Sequence, residues 1–181
     1  MAQPVKTRTY NSPRRREQAA ATRRQILEAA QRLFERQGYA ATSMAAIAKE
    51  AGVALKTVYL AFETKSGLLR SLWNMLLRGD LEEIPVAERG WYREALEEPD
   101  PARQLRLNAR NARAAKGRIA ALIEVIRTAA PAEPEIEALW QRIESDFHEN
   151  QGRIAKSLQK KGALRPGLSV RRATYILWTL N

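Results

Sequence analysis

The chain has 181 residues, enough for one well-filled core or for a small module joined to a larger one. It contains no cysteine, which excludes a disulfide framework, a thiolate metal site and a cysteine nucleophile and fits a reducing compartment. Lysine and arginine number 31 against 20 acidic residues, a formal charge of +11, and no stretch approaches the ~20 apolar residues of a membrane span.

The surplus of positive charge is uneven. Residues 1–64 hold 11 basic and 5 acidic residues, with Lys6, Arg8, Arg14, Arg15, Arg16, Arg23 and Arg24 set against Glu17. A basic cluster at one end is the footprint of a polyanion binder, because each phosphate neutralised releases condensed counterion. Arginine that only keeps an alanine-rich chain in solution would give the same charge, so a motif must decide.

Residues 1–21 are polar and charged and include Pro4 and Pro13, which predicts a basic disordered arm. Thr22 and Gln25 have the form of a capping box. Behind them Ile26, Leu27, Ala30, Leu33 and Phe34 recur at three-and-four spacing, which predicts a first helix over 23–37 stopped by Gly38. Ser43 is suited to cap a second, short helix with Met44, Ile47, Ala48 and Ala51 inward and Gly52 as its stop. A third helix over 55–62 turns Val58 and Phe62 inward and leaves Leu55, Lys56, Thr57, Tyr59 and Leu60 for its outer face.

The fourth helix, 65–78, carries Leu68, Leu69, Leu72, Trp73, Met75 and Leu76, too many for one narrow stripe. It must touch two neighbours. An acidic, proline-containing loop (80–86) follows, then a short helix near 91–96. Pro101, with Asp100 as its cap, opens a long helical pattern that persists to about Ala129, either unbroken or interrupted near Gly117. Pro131 and Pro134 stop it, a further helix covers 135–160, and a last one starts at Ser169. Strand alternation, internal repeats and low-complexity tracts are absent from the sequence. The fold class is all-α.

Two short helices joined by a glycine-containing turn, braced by a preceding helix, have the geometry that presents a helix to a DNA major groove. The string Gly38-Tyr39, Thr42-Ser43, Ile47-Ala48, Ala51-Gly52-Val53, Thr57-Val58-Tyr59, Phe62, Lys65 and Leu68-Leu69 resembles the N-terminal signature of the tetracycline-repressor (TetR) family. The resemblance covers about fifty residues by position; beyond Leu81 it is architectural only. It implies a helix-turn-helix DNA-binding domain over 22–64 and a larger helical effector-binding and dimerisation domain over 65–181. It also implies a bacterial, cytoplasmic and nucleoid-associated regulator rather than an enzyme, with no cofactor. Such a protein would act as a homodimer on a palindromic double-stranded operator and be released by a small-molecule effector. An architectural, weakly specific DNA-binding protein is the alternative.

Carried over by position, Thr57, Tyr59 and Lys65 would meet phosphates or groove edges, Thr22 or Ser43 would offer a hydroxyl, and Leu55 and Lys56 would read bases. Lysine can donate to guanine O6 or N7, and an apolar side chain can touch a thymine methyl. Ala54 stands where the family often has a serine cap, Ala46 where an acidic residue would complete a capping box, and Leu60-Ala61 where larger side chains are common. Together with Ala45 these leave the reading surface poor in donors, so selectivity must draw on DNA shape or on the arm. Arg14, Arg15 and Arg16 are suited to a narrow minor groove, or to a solubilising tail.

His148 is the sole histidine, beside Glu144, Asp146 and Glu149; one imidazole on a charged helix reads as a solvated residue rather than a metal ligand. No phosphate loop, nucleophile elbow or paired-carboxylate spacing occurs. Trp73, Trp91, Tyr92, Trp140, Phe147, Tyr175 and Trp178 are candidates to line an effector cavity, and equally to fill a core or a dimer seam. The last pattern, 169–181, ends without a cap, which is expected of a dimerisation helix cut short by truncation.

Overall fold

The computed structural model describes residues 13–79 and 85–180. Its helices, in chain order, are α1 (Pro13–Gln37), α2 (Met44–Ala51), α3 (Leu55–Phe62), α4 (Lys65–Arg78), α5 (Gly90–Glu97), α6 (Pro101–Ala129), α7 (Pro134–Lys160) and α8 (Val170–Leu180). Single turns of 3-10 helix at Val86–Glu88 and Ala130–Ala132 precede α5 and α7. Among the described residues there is no strand, and the all-α class holds.

Local chemistry sets most of these boundaries. The Ser43 hydroxyl accepts from the Ala46 N–H at 3.1 Å and starts α2, while Gly52 ends it with φ 66°, a left-handed turn that lets its N–H reach back to the last carbonyls. Ala54 opens α3 with no side-chain cap, as its lack of a hydroxyl requires. Thr64 caps α4 by accepting from the Gly67 N–H at 3.0 Å, and Asp100 caps α6 by accepting from the Arg103 N–H at 2.6 Å.

Two sequence expectations need correction. Helix α1 starts at Pro13, not near residue 23, so residues 13–21 are helical rather than part of an arm. Proline suits a first helical position, where its missing N–H costs nothing, and the Arg, Glu, Gln and Ala residues that follow are strong helix formers whatever their polarity. Thr22 therefore lies inside α1 and caps nothing; Gln25 instead donates its side-chain amide to the Ala51 carbonyl at 2.7 Å, tying α1 to the end of α2. The rest of the expected arm, residues 1–12, lies outside the described residues. Helix α6 is continuous through Gly117, which is exposed and keeps the helical path at a propensity cost of roughly 1 kcal/mol.

Helices α1 to α3 form a three-helix corner around Ile26, Leu27, Ala30, Phe34, Ile47 and Val58. The same core continues through α4 into Ile119, Leu122 and Ile126 of α6 and Ile136, Leu139 and Ile143 of α7. Helix α4 is the shared wall: Leu68, Leu69 and Leu72 have no exposed surface, each worth roughly 1.5–3 kcal/mol of burial. Its surplus of apolar residues covers two faces, one toward α1 and α3 and one toward α6 and α7. Beyond it, α5 packs on α6, α6 on α7, and α7 on α8.

Candidate nucleic-acid interface

The corner holds α3 by its inward residues and leaves the opposite side open. Val58 is fully buried and Phe62 nearly so, whereas Leu55 is 40%, Tyr59 48% and Leu60 76% exposed. Lys56 is exposed as well, and Thr57, half-buried, sits at the edge of that side. The outward phase expected for Tyr59 is the one observed. Ser43 and Ala45, at the start of α2, are exposed on the same corner, and the Ser43 hydroxyl already accepts the α2 capping bond. Thr22 is half-buried within α1.

Lys65 is placed differently from the other candidates. Its ammonium donates to the Tyr39 carbonyl at 3.0 Å and lies 4.0 Å from the centre of the Tyr39 ring. That ring stacks on Phe34 at 5.7 Å. Lys65 thus pins the start of α4 to the α1–α2 loop and keeps part of its donor capacity for another acceptor. Burial, helped by the charges of Glu133 and Glu135, pushes the Tyr39 phenol up to about 12, so it stays neutral. Arg14, Arg15 and Arg16 are exposed on the opening turns of α1, where every residue from 13 to 21 is exposed. Arg23, counted with the basic cluster by charge, is a structural residue: it donates to the Ala61 carbonyl at 2.6 Å and to the Ser71 hydroxyl at 3.0 Å.

A cavity of about 130 Å³ lies in the C-terminal half among the end of α4, the Val86–Glu88 turn, α5, α6, α7 and α8. Of the seven aromatic candidates, Trp91, Tyr92, Phe147 and Trp178 line it. The others do not. Trp73 is a core residue that meets Phe147 edge to face at 6.0 Å; Trp140 packs against the core; Tyr175 lies exposed on α8 beside His148, ring centres 5.3 Å apart. His148 thus faces the rings of Tyr175 and Trp178. Among the described residues no group of three or more His, Asp or Glu side chains could hold a metal. Sequence reasoning missed the polar lining, Asn108, Asn111, Lys116 and Gln151. The signal was present, since Asn108, Ala112 and Ala115 recur at helical spacing where a packed face would carry large apolar residues.

An outward short helix set on a braced two-helix corner, packed through α4 against further helices that surround a cavity, is a helix-turn-helix arrangement within an all-helical fold. The family model for bacterial regulatory proteins, tetR family, matches residues 26–72, about a quarter of the chain. The HTH-type transcriptional regulator AcrR of Shigella flexneri is 42% identical over 60 residues, 33% of this chain and 28% of that protein. The HTH-type transcriptional regulator TtgR of Pseudomonas putida is 43% identical over 63 residues, 35% and 30% of the two chains. The matched segment therefore spans less than a third of either relative. A likeness of fold reaches further: NalD, the secondary repressor of the MexAB-OprM multidrug efflux pump in Pseudomonas aeruginosa, superposes with a TM-score of 0.65 at 24% identity, covering 89% of this chain and 81% of that one.

Proposed function

We propose that this chain is a sequence-specific DNA-binding transcriptional regulator, a repressor released from its operator by a small-molecule effector, in the bacterial cytoplasm and associated with the nucleoid. The observation that carries the reading is the outer side of α3, where Leu55, Lys56, Tyr59 and Leu60 are exposed on a corner of the shape that enters a major groove. Lys56 and Leu55 are the base readers, Tyr59 and Thr57 meet the groove edge or phosphates, and the remaining donors of Lys65 reach a phosphate. Ser43 and Thr22 offer further hydroxyls, and Arg14, Arg15 and Arg16, exposed on the opening turns of α1, add charge for phosphates. On α8, Tyr175, Ile176, Trp178 and Leu180 are all at least 42% exposed. A second copy of the chain on that face makes a homodimer, which matches a palindromic operator.

A continuous set of contacts supports release by an effector. The Arg118 guanidinium of α6 donates to the Leu76 and Leu77 carbonyls of α4 at 2.9 and 3.0 Å, and Leu77 lines the cavity. In the middle of α4, Ser71 is bound by Arg23 of α1, which also holds the Ala61 carbonyl of α3. A ligand that moves α4 moves the helix that meets DNA. The test is the affinity for a palindromic duplex from the gene's own upstream region against a random duplex, over a salt series. A specific preference of 10³ or more, roughly the lower bound for specific binders, supports the regulator. Equal affinity for both duplexes sinks it in favour of the architectural reading, which the donor-poor side chains of Ala45 and Leu60 favour.

A further inference from the structure

Resting on the reading of the cavity as an effector site, we infer that its ligand is a monocyclic aromatic anion, a benzoate-like carboxylate, and that organic cations are rejected. Size limits the ligand first. The cavity, about 130 Å³, is close to the ~150 Å³ apolar cavity that accepts one benzene ring. Trp91, Tyr92, Phe147 and Trp178 supply aromatic walls, and Ala95, Ala112 and Ala115 keep the space between them open. Such walls take a flat ring by stacked or edge contacts.

Polarity limits it next. Lys116 is the sole charged side chain among the described lining residues, and its ammonium forms no ion pair with any described residue. Several of the acceptors nearby are already engaged. The Asn108 amide donates to Gln151 Oε1 at 3.0 Å, the Asn111 amide to the Trp91 carbonyl at 3.0 Å, and the Tyr92 hydroxyl to the Asn150 carbonyl at 2.9 Å. The Gln151 amide nitrogen and the Lys116 ammonium are left as donors, a pair suited to a carboxylate. Burial pushes the Tyr92 phenol up to about 12, with Arg153 opposing and Glu149 adding to the shift, so it brings no negative charge. A cation could meet the ring faces, but it would lie beside Lys116 with no described lining carboxylate to neutralise it.

The experiment titrates the full-length chain with benzoate, benzamide and protonated benzylamine, three probes of one size and different charge, followed by tryptophan fluorescence and calorimetry. Benzoate is expected to bind about tenfold more tightly than benzamide, the scale of one charge-assisted hydrogen bond, and benzylammonium not to saturate. Lys116→Met should bring benzoate down to the affinity of benzamide and leave benzamide unchanged, and Lys116→Glu should abolish benzoate binding. Equal or tighter binding of benzylammonium, an unchanged benzoate affinity in Lys116→Met, or no binding by any probe overturns the inference. The same titrations in the presence of the operator separate the two readings. Lys116-dependent benzoate binding that leaves operator affinity unchanged keeps the ligand class and removes the effector role. Release of the operator by the cation alone keeps that role and overturns the ligand class.

Discussion

The Arg23 guanidinium lies 4.3 Å from the centre of the Phe62 ring, while its terminal nitrogens donate to the Ala61 carbonyl and the Ser71 hydroxyl. One side chain of α1 therefore fixes the end of α3 and the middle of α4 together. The two short helices could not hold this angle by propensity, since eight residues are too few for a stable isolated helix.

Arg23→Met keeps much of the stem's packing and removes the donors and the charge over the ring. It should destabilise the protein by about 1.5–3 kcal/mol, the range for hydrogen bonds to a charged group. Urea denaturation checks this: the midpoint should fall with an unchanged slope. An unchanged midpoint would mean that water replaces both bonds at no cost.

The two caps predict shifts of opposite sign. Ala54 has the extended backbone of an N-cap, φ −67° and ψ 142°, without a side-chain acceptor, so Ala54→Ser should stabilise by ~1 kcal/mol and raise the melting temperature by ~2–4 °C. Ser43→Ala removes the bond to the Ala46 N–H and should lower it by a similar amount. Thermal melts of both variants beside the parent decide the matter.

The short helices were legible because their ends are marked by residues with one local use: Ser43 before α2, Gly52 after it, and Val58 and Phe62 at one-turn spacing in α3. The start of α1 was not, because Arg14–Arg16 read as polar while helix propensity depends on side-chain entropy and not on polarity. Lys65 and Arg23 look like any basic residue in the sequence; their partners, Tyr39 and Ala61, are 26 and 38 residues away. Aromatic content pointed to the C-terminal cavity but could not separate Trp91, which lines it, from Trp140, which packs on the core.

Two glycines should respond in opposite ways to a single methyl group. A Cβ at Gly67 would lie 2.7 Å from the Phe62 carbonyl oxygen, a backbone atom at the tight α3–α4 turn where Glu63 already has φ 59°. Gly67→Ala should cost about 1–3 kcal/mol, as overpacking does. At Gly117, mid-helix and exposed, a Cβ meets nothing within 4 Å, so Gly117→Ala should stabilise by roughly 1 kcal/mol. Denaturation midpoints of the pair are the measurement.

Alkaline pH should weaken the fold in a defined window. The phenols of Tyr39 and Tyr92 are both raised from 10 to about 12, first by burial. Between these values the unfolded chain loses protons that the native chain keeps, so stability is fully present below pH 10 and falls as pH rises toward 12. Melting temperatures across that range should drop, and Tyr92→Phe should drop less than the parent. Phenolate absorbance in the native protein should show late ionisation of two tyrosines; ionisation of both near 10 would contradict their burial.

The last prediction separates residues of the proposed DNA surface by what else they hold. Tyr59 is 48% exposed, with its inward neighbours Val58 and Phe62 carrying the packing, so Tyr59→Ala should weaken operator binding while leaving the melting temperature within about 1 °C, as surface changes do. Lys65 also anchors the Tyr39 carbonyl, so Lys65→Met should weaken binding and cost about 1 kcal/mol of stability besides. Lys56→Ala, at an exposed position on α3, should cost roughly 1–3 kcal/mol on the operator and much less on random DNA if it reaches a base edge. Neutralising Arg14, Arg15 and Arg16 to Gln should instead weaken both duplexes and flatten the dependence of affinity on salt by up to about 0.9 log unit per lost contact. Operator and random-duplex affinities over a salt series, with a melt of each variant, distinguish the four. If Tyr59→Ala lowers the melt and spares the operator, α3 meets a protein face and not DNA; if the arginine variant alone changes the ratio of the two affinities, the start of α1 is the reader and α3 the anchor.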